Sequence, residues 1–128
     1  MPELGRYKKI PRPESVGYFI KLTKNHNVVS NVTKIADYVF LIERENKPPI
    51  NVFLTNIYIV GVADVHEIIS SNSQVNCIVT VSSWNSYTRD AKELCKNLGI
   101  GLFVVSEYCG ALYYAGNKFI NYMPPKKN

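Results

Sequence analysis

The sequence predicts a single α/β domain with a mixed central sheet flanked by helices, and three observations carry that prediction. A chain of 128 residues is long enough to close one hydrophobic core and too short for two domains of ordinary size. Its composition, 46% hydrophobic and 20% charged, is that of an ordinary globular protein and excludes a disordered chain, a collagen or a coiled coil. Its later half alternates strand, helix, strand, helix, strand, an order that favours parallel crossovers in a mixed sheet.

The elements follow in chain order. Pro13 at a first helical position, Glu14 in the first turn, and Val16, Phe19, Ile20 and Thr23 at i, i+3, i+4 and i+7 predict a helix ending near Asn25-His26-Asn27. Val28 to Thr33 alternates loosely, and Ala36 to Ile42 is rich in β-branched and aromatic residues, which predicts one or two strands. The polar run Glu43 to Lys47 and Pro48-Pro49 predict a turn, and Ile50 to Leu54 its antiparallel partner strand. Thr55 and Asn56 are capping types, and Tyr58, Val62, Val65 and Ile69 recur at helical spacing. That segment is read as a helix, although Gly61 and its β-branched residues also suit a strand. Cys77 to Val81 reads as a buried strand after a loop at Ser70 to Gln74. Thr88 then caps the clearest helix, with Ala91, Leu94, Cys95 and Leu98 as its buried stripe and Gly99 as its stop. Leu102 to Val105 is the last strand, with a short apolar run, Ala111 to Tyr114, behind it.

The formal net charge of +5 sits at the two ends. Residues 1–12 carry Arg6, Lys8, Lys9 and Arg12 against Glu3, the tail adds Lys126 and Lys127, and residues 13–125 balance nine basic against nine acidic side chains. The chain therefore divides into a basic arm (1–12), one domain (13–122) and a basic tail (123–128). Such ends suit phosphate tracking through counterion release, or equally solubility. The longest apolar stretch, Ile57 to Val65, is broken by Gly61 and Asp64 and falls far short of the roughly 20 residues that cross a bilayer. Residues 1–12 lack the apolar region of a secretory signal, and no membrane partner and a cytoplasmic location are expected. Cys77, Cys95 and Cys109 are widely spaced, without a C-x₂-C pair, and are expected as small buried apolar residues.

Motifs for chemistry are sparse. The chain has no G-x-G-x-x-G, no phosphate loop and no G-x-S-x-G elbow, and Gly99-Ile100-Gly101 follows a helix that Gly99 ends. His26 and His66 are the only histidines. His66 neighbours Asp64 and Glu67, but side chains one or two positions apart on a helix do not face each other, so a surface histidine and no metal are expected. Ser82 to Thr88 joins a buried strand to a helix start, where α/β sheets take ligands and free amides attract anions. The same hydroxyls and amides would serve as well to cap the helix while Trp84 and Tyr87 pack over the sheet edge.

The stretch I-V-T-V-S-S-W-N-S-Y-T-R-D-A-K-E-L-C-K-N-L-G-I-G-L-F-V-V-S-E, Ile78 to Glu107, resembles the last strand–helix–strand unit of the Mrr-like branch of restriction-endonuclease-like domains. The matching positions are Val79-Thr80, Tyr87-Thr88, Ala91 and Ile100 to Leu102. The earlier elements fall in the family's order: a helix, a strand with an acidic residue, a strand with a Glu/Gln-x-Lys pair, and a helix. The resemblance implies a restriction-endonuclease-like fold over residues 13–115. In the PD-(D/E)xK group it also implies two acidic or amide groups holding Mg²⁺ or Mn²⁺ and a lysine that activates water.

Asp37 matches the first acid. In I-N-V-F-L-T-N, however, Phe53 and Thr55 take the places of the Glu/Gln and the Lys. A phenyl ring cannot ligate a cation and a threonine supplies no positive charge. Glu45-Asn46-Lys47 spells E-x-K but stands in the predicted turn, and Glu43 or Glu14 could instead join Asp37. The expectation is a degenerate nuclease-like domain, without a cofactor, acting as a DNA-binding or assembly module. Its nucleic-acid contacts would be Lys8, Lys9, Arg12, Ser82, Ser83, Asn85, Thr88, Lys126 and Lys127. The alternatives are an active Mg²⁺- or Mn²⁺-dependent endonuclease built on Asp37, and a protein-interaction subunit, for instance a homodimer, presenting nine tyrosines and Trp84.

Overall fold

In the computed structural model, which describes residues 9–125, Pro13 opens helix α1 (Pro13–Lys24), with Glu14 in its first turn and Lys21 and Lys24 in its last. That charge order suits the helix dipole. Strands β1 (Val29–Ala36), β2 (Val39–Arg44) and β3 (Lys47–Thr55) follow as an antiparallel meander. Both hairpin turns place their second residue in the left-handed region, Tyr38 at φ 61° and Asn46 at φ 59°, each beside a register shift in the ladder. Asparagine tolerates that conformation, whereas a bulky tyrosine rarely adopts it.

The second turn is tighter than predicted, and β3 runs through Pro48 and Pro49 instead of starting after them. The two prolines, which have no N–H to donate, fit because the ladder to β2 shifts between Ile42 and Arg44 and pairing on the other side begins only at Val52.

The helix predicted from Tyr58 starts later. Thr55 ends β3, Ile59–Val60 forms the short strand β4, and α2 (Val62–Ser71) begins after Gly61. Thr55 and Asn56 therefore do not cap it; the Gly61 N–H donates to Asp64 Oδ2 at 2.9 Å instead. The β-branched residues and Gly61 favour extended backbone here, and β4 gains a parallel partner in β6 (Ser86–Tyr87). Strand β5 (Cys77–Thr80), helix α3 (Arg89–Asn97) and strand β7 (Gly101–Val104) complete the predicted alternation, and the main sheet runs β1-β2-β3-β5-β7 with its last three strands parallel.

Two helices after β7 are absent from the sequence prediction: α4 (Val105–Ala111), which absorbs the start of the apolar run at Ala111, and α5 (Asn117–Ile120). Leu98, predicted in the buried stripe of α3, is 50% exposed. The helix ends at Asn97, Gly99 turns the chain at φ 74°, and Ile100 enters the core in its place.

The helices sort onto the two faces of the sheet. Residues of α2 and α3, among them Val65, Ile68, Ala91 and Cys95, pack with Val39, Ile78 and Leu102. Phe19 of α1, Tyr108 and Ala111 of α4 and Phe119 of α5 pack with Phe40, Val52, Leu54, Val79 and Phe103. The result is the mixed, helix-flanked α/β sheet that the alternation predicts. Cys77 and Cys95 are buried, Cys109 is half-buried, and all three are free thiols. Among the described residues no helix is long and apolar enough to cross a membrane.

Candidate functional site

The start of β2 and the end of β3 lie side by side, since Val39 pairs with Phe53 and the Leu54 N–H donates to the Tyr38 carbonyl at 2.8 Å. Residues 37, 53 and 55 thus share one end of the sheet. Asp37 stands at the hairpin tip with its side chain 92% exposed and Lys34 at 3.8 Å. Phe53 is half-buried against the aliphatic cluster. Thr55 is 2% exposed, and its hydroxyl donates to the Lys9 carbonyl at 3.0 Å.

The other acids lie elsewhere. Glu45-Asn46-Lys47 forms the turn at the far end of β2 from Asp37. Glu43, near that same end, accepts from Asn31 at 3.2 Å. Glu14 pairs with Arg12 at 3.8 Å.

A cavity of about 300 Å³ opens beside Phe53. Ile10, Pro11, Tyr38, Phe53, Ile57 and Ile68 form its apolar lining, and Lys9, Asp64 and Glu67 its charged part. Residues 9–11 are anchored across the end of β3, because the Lys9 carbonyl accepts from both the Asn56 N–H (2.7 Å) and the Thr55 hydroxyl. Asp64 and Glu67, three apart on α2, share a helix face, and the Lys9 ammonium lies 4.0 Å from the first and 3.6 Å from the second.

These residues do not fit the divalent cation of a nuclease. Asp64 spends one oxygen on the start of α2, and both carboxylates already face an ammonium. The remaining walls offer few of the six oxygen ligands that Mg²⁺ prefers. Among the described residues no three His, Cys, Asp or Glu side chains form a group that could hold a metal ion.

The Ser82–Thr88 loop lies at the same end of the sheet, after β5, and several of its polar groups are bonded to residues outside the loop, while the buried Asn85 Oδ1 has no hydrogen-bond partner among the described residues. Ser82 Oγ donates to Asn56 Oδ1 at 2.5 Å, and Asn85 Nδ2 donates to that oxygen at 3.1 Å and to Thr80 Oγ1 at 2.9 Å. Thr80 Oγ1 in turn donates a hydrogen bond to the Ile57 carbonyl at 2.8 Å. Thr88 accepts from the Ala91 N–H at 3.0 Å and so caps α3 as predicted. Tyr87 donates to Glu107, 2.9 Å from each carboxylate oxygen, and burial, followed by this carboxylate, pushes the phenol's pKa up. Trp84, expected over the sheet edge, is half exposed.

Ser82, Ser83 and Asn85 line a second cavity of about 410 Å³ with Tyr18, Val105 and Ser106, and no lining residue carries a formal charge. The structure therefore separates the residues singled out for nucleic acid. Lys9 belongs to the first cavity, Arg12 pairs with Glu14, and Ser82, Ser83 and Asn85 belong to the second cavity. Thr88 holds a helix end, and Lys8, Lys126 and Lys127 lie outside the described residues. His66 is exposed. His26 instead ties α1 to α4 through Nε2 and the Cys109 carbonyl at 2.8 Å.

Sequence reasoning missed Asn56, the hub of the loop network, and Lys92, which is only 8% exposed. The Lys92 ammonium donates to the Leu102 carbonyl on the edge strand β7 and lies 4.3 Å from the Phe103 ring centre. Burial lowers its pKa, with Glu107 acting in the opposite direction. Asn56 carried a signal, a buried amide type directly after an apolar strand; Lys92 carried none, since lysines on helices usually face water. Comparison with protein-family models, curated proteins and solved structures finds no match to this chain.

Proposed function

We propose that this chain is a restriction-endonuclease-like domain that has lost its catalytic centre and serves as a DNA-binding or assembly module. The observation that carries the reading is what stands at the end of β3: a half-buried ring at Phe53 and an enclosed hydroxyl at Thr55, already bonded to the Lys9 carbonyl, with Asp37 turned to solvent beside Lys34. The element order supports the family side of the reading, since a helix, an acid-bearing hairpin, a third strand, a helix and a strand–helix–strand unit follow in the sequence the resemblance implies.

Net charge of +5 supports DNA as the ligand. Ser82, the Asn85 amide N–H and Thr88 are already bonded within the protein, which makes that affinity largely electrostatic. The assembly side is supported by large apolar side chains left exposed around β4 and β6, namely Tyr58, Ile59, Val62 and Trp84.

The test combines binding and cleavage on the same preparation. Fluorescence anisotropy with a short duplex is expected to show affinity that falls steeply between about 50 and 200 mM salt and is unchanged by a chelator. Supercoiled plasmid incubated with Mg²⁺ or Mn²⁺ is expected to stay intact with the wild type and with Asp37→Asn alike. Metal-dependent nicking that Asp37→Asn abolishes overturns the loss of catalysis. Absent or salt-insensitive binding removes DNA and leaves assembly, which light scattering then reads as a mass above the monomer's.

A further inference from the structure

We infer that the cavity between the loops after β5 and β7 is a binding site for a small molecule that carries a primary carboxamide on a compact apolar body. The inference is independent of whether the chain binds DNA. Ser82, Ser83 and Asn85 line the cavity from the first loop, Val105 and Ser106 from the second, and Tyr18 from α1. At about 410 Å³ it falls in the range in which proteins hold small ligands. Its position follows from the path of the chain. After β5 the chain runs to α3, on one face of the sheet, and after the neighbouring β7 it runs to α4, on the other. Adjacent parallel strands whose connections part to opposite faces leave a crevice at their carboxyl ends, which is where open α/β sheets take ligands.

One buried group in that crevice is incomplete. Asn85 is 5% exposed, and its Oδ1 is enclosed without a hydrogen-bond partner among the described residues. Its neighbours fix which way the amide points. Nδ2 donates to Asn56 Oδ1 and Thr80 Oγ1, and both oxygens have to accept, the first as a carbonyl and the second because its hydrogen goes to Ile57. Exchanging oxygen and nitrogen would set oxygen against oxygen. Asn56 and Thr80 lie outside the cavity lining, so Nδ2 points away from the cavity and the oxygen is the side left for a ligand. A buried acceptor without a partner costs free energy that a donor brought by a ligand recovers. The donor reaches this enclosed oxygen as the Ser83–Trp84 turn gives way, and both residues of that turn are exposed.

The donors and acceptors select the ligand. Ser82 gives its hydrogen to Asn56, so toward the cavity its oxygen can only accept, as Asn85 Oδ1 does. Ser83 and Ser106, both exposed, bring hydroxyls that can donate. Two acceptors and two hydroxyl donors match a primary carboxamide, whose nitrogen carries two hydrogens and whose carbonyl oxygen has two lone pairs. Its apolar body lies against Tyr18 and Val105. A carboxylate of the same shape sets an oxygen against Asn85 Oδ1 and Ser82 Oγ, and a methyl ketone leaves both unpaired.

The test uses three probes of one shape, benzamide, acetophenone and benzoate, titrated into the isotope-labelled full chain. Chemical shifts of the Leu22, Val81 and Val105 methyls report occupancy, and the side-chain carbonyl carbon of Asn85 reports the new hydrogen bond. Benzamide is expected to bind about tenfold more tightly than acetophenone, with benzoate the weakest, and to move the Asn85 carbonyl resonance where acetophenone does not. Ser82→Ala, which removes one acceptor, is expected to weaken benzamide about threefold and to leave acetophenone unchanged. Ser106→Trp, which fills the cavity from an exposed position, is expected to remove the methyl shifts for all three probes. Equal affinities for benzamide and acetophenone, preference for benzoate, an Asn85 carbonyl resonance that stays in place at saturating benzamide, or no shift at millimolar benzamide in the folded wild type overturns the inference.

Discussion

The two faces of the sheet are packed by different means. Toward α1, α4 and α5 the core is aromatic: Phe19 lies 5.5 Å from Phe40 and 5.2 Å from Tyr108 between ring centres, and Phe103 lies 5.3 Å from Phe119. Buried polar groups are threaded through it. Thr23 and Tyr108 share a hydrogen bond of 2.9 Å, and the Arg44 guanidinium donates to the carbonyls of Pro48, Leu112 and Tyr114. Toward α2 and α3 the fully buried core is aliphatic, from Val39 and Val65 to Cys95 and Leu102, and the cavity beside Phe53 opens where those side chains end.

Helix α1, of 12 residues, also lies on the aromatic face, so length alone does not divide the faces; the Arg44 clasp follows from the two short helices there. Helices α2 and α3, of 10 and 9 residues, satisfy much of their own backbone and need only a greasy stripe. Helices α4 and α5, of 7 and 4 residues, leave a larger share of carbonyls without helical partners, so side chains from elsewhere must bond them.

The largest expected effect comes from breaking the clasp on the aromatic face. Arg44→Met leaves buried carbonyls without donors and is expected to destabilise the protein by about 3 kcal/mol, read as a lowered urea midpoint at unchanged slope. Arg44→Lys should recover less than half of that, because a single ammonium cannot span both Pro48 and Leu112 as the planar fork does. A loss below about 1 kcal/mol for Arg44→Met means that the short helices are held by apolar packing alone.

This contrast also explains what could be read from the sequence. Helix α3 announced itself through Thr88, the Ala91 and Cys95 stripe and Gly99, all local signals, and α1 through Pro13 and its stripe. The parallel strands were visible as short apolar runs. Helix α4 was not, because Val-Ser-Glu-Tyr-Cys-Gly-Ala has a glycine and a β-branched start, and the bonds that hold the segment come from residues 83 and 68 positions away, at His26 and Arg44.

The candidate site divides in the same way. Phe53 and Thr55 were legible as departures from a local pattern. The meeting of Lys9 with Asp64 and Glu67, and of Asn56 with Ser82 and Asn85, depends on which strand ends the fold brings together, and no spacing along the chain encodes it.

Alkaline titration sharpens the comparison, since each face buries a thiol. Burial pushes Cys95, on the aliphatic face, up to about 11, with Lys92 pulling it the other way. Cys77, on the aromatic face, is pushed higher still by its burial. In the unfolded chain a thiol ionises near about 8.5. The folded state therefore keeps a proton that the unfolded state releases, so this contribution is complete below about pH 8.5 and is lost as pH rises toward 11. Cys95 alone should account for about 2 kcal/mol by pH 10. Urea denaturation at pH 7 and pH 10 is expected to show a smaller pH loss in Cys95→Ala than in the wild type, with the remainder set by the other buried acids. Identical losses in the two proteins remove Cys95 from the alkaline sensitivity and leave it to the other buried acids, Cys77, Tyr108 and Tyr87.

The smallest expected effect bears most directly on function. Thr88 begins the regular helix of the aliphatic face, and its hydroxyl oxygen accepts the Ala91 N–H; it was also singled out as a nucleic-acid contact. A capping role predicts that Thr88→Ala lowers stability by about 1 kcal/mol, that Thr88→Ser restores most of it, and that DNA affinity is unchanged while the protein stays folded. A phosphate-contact role predicts the opposite pattern, weaker DNA binding and a shallower salt slope with little change in the urea midpoint. The two outcomes separate a hydroxyl that holds a helix end from one that is kept for a ligand.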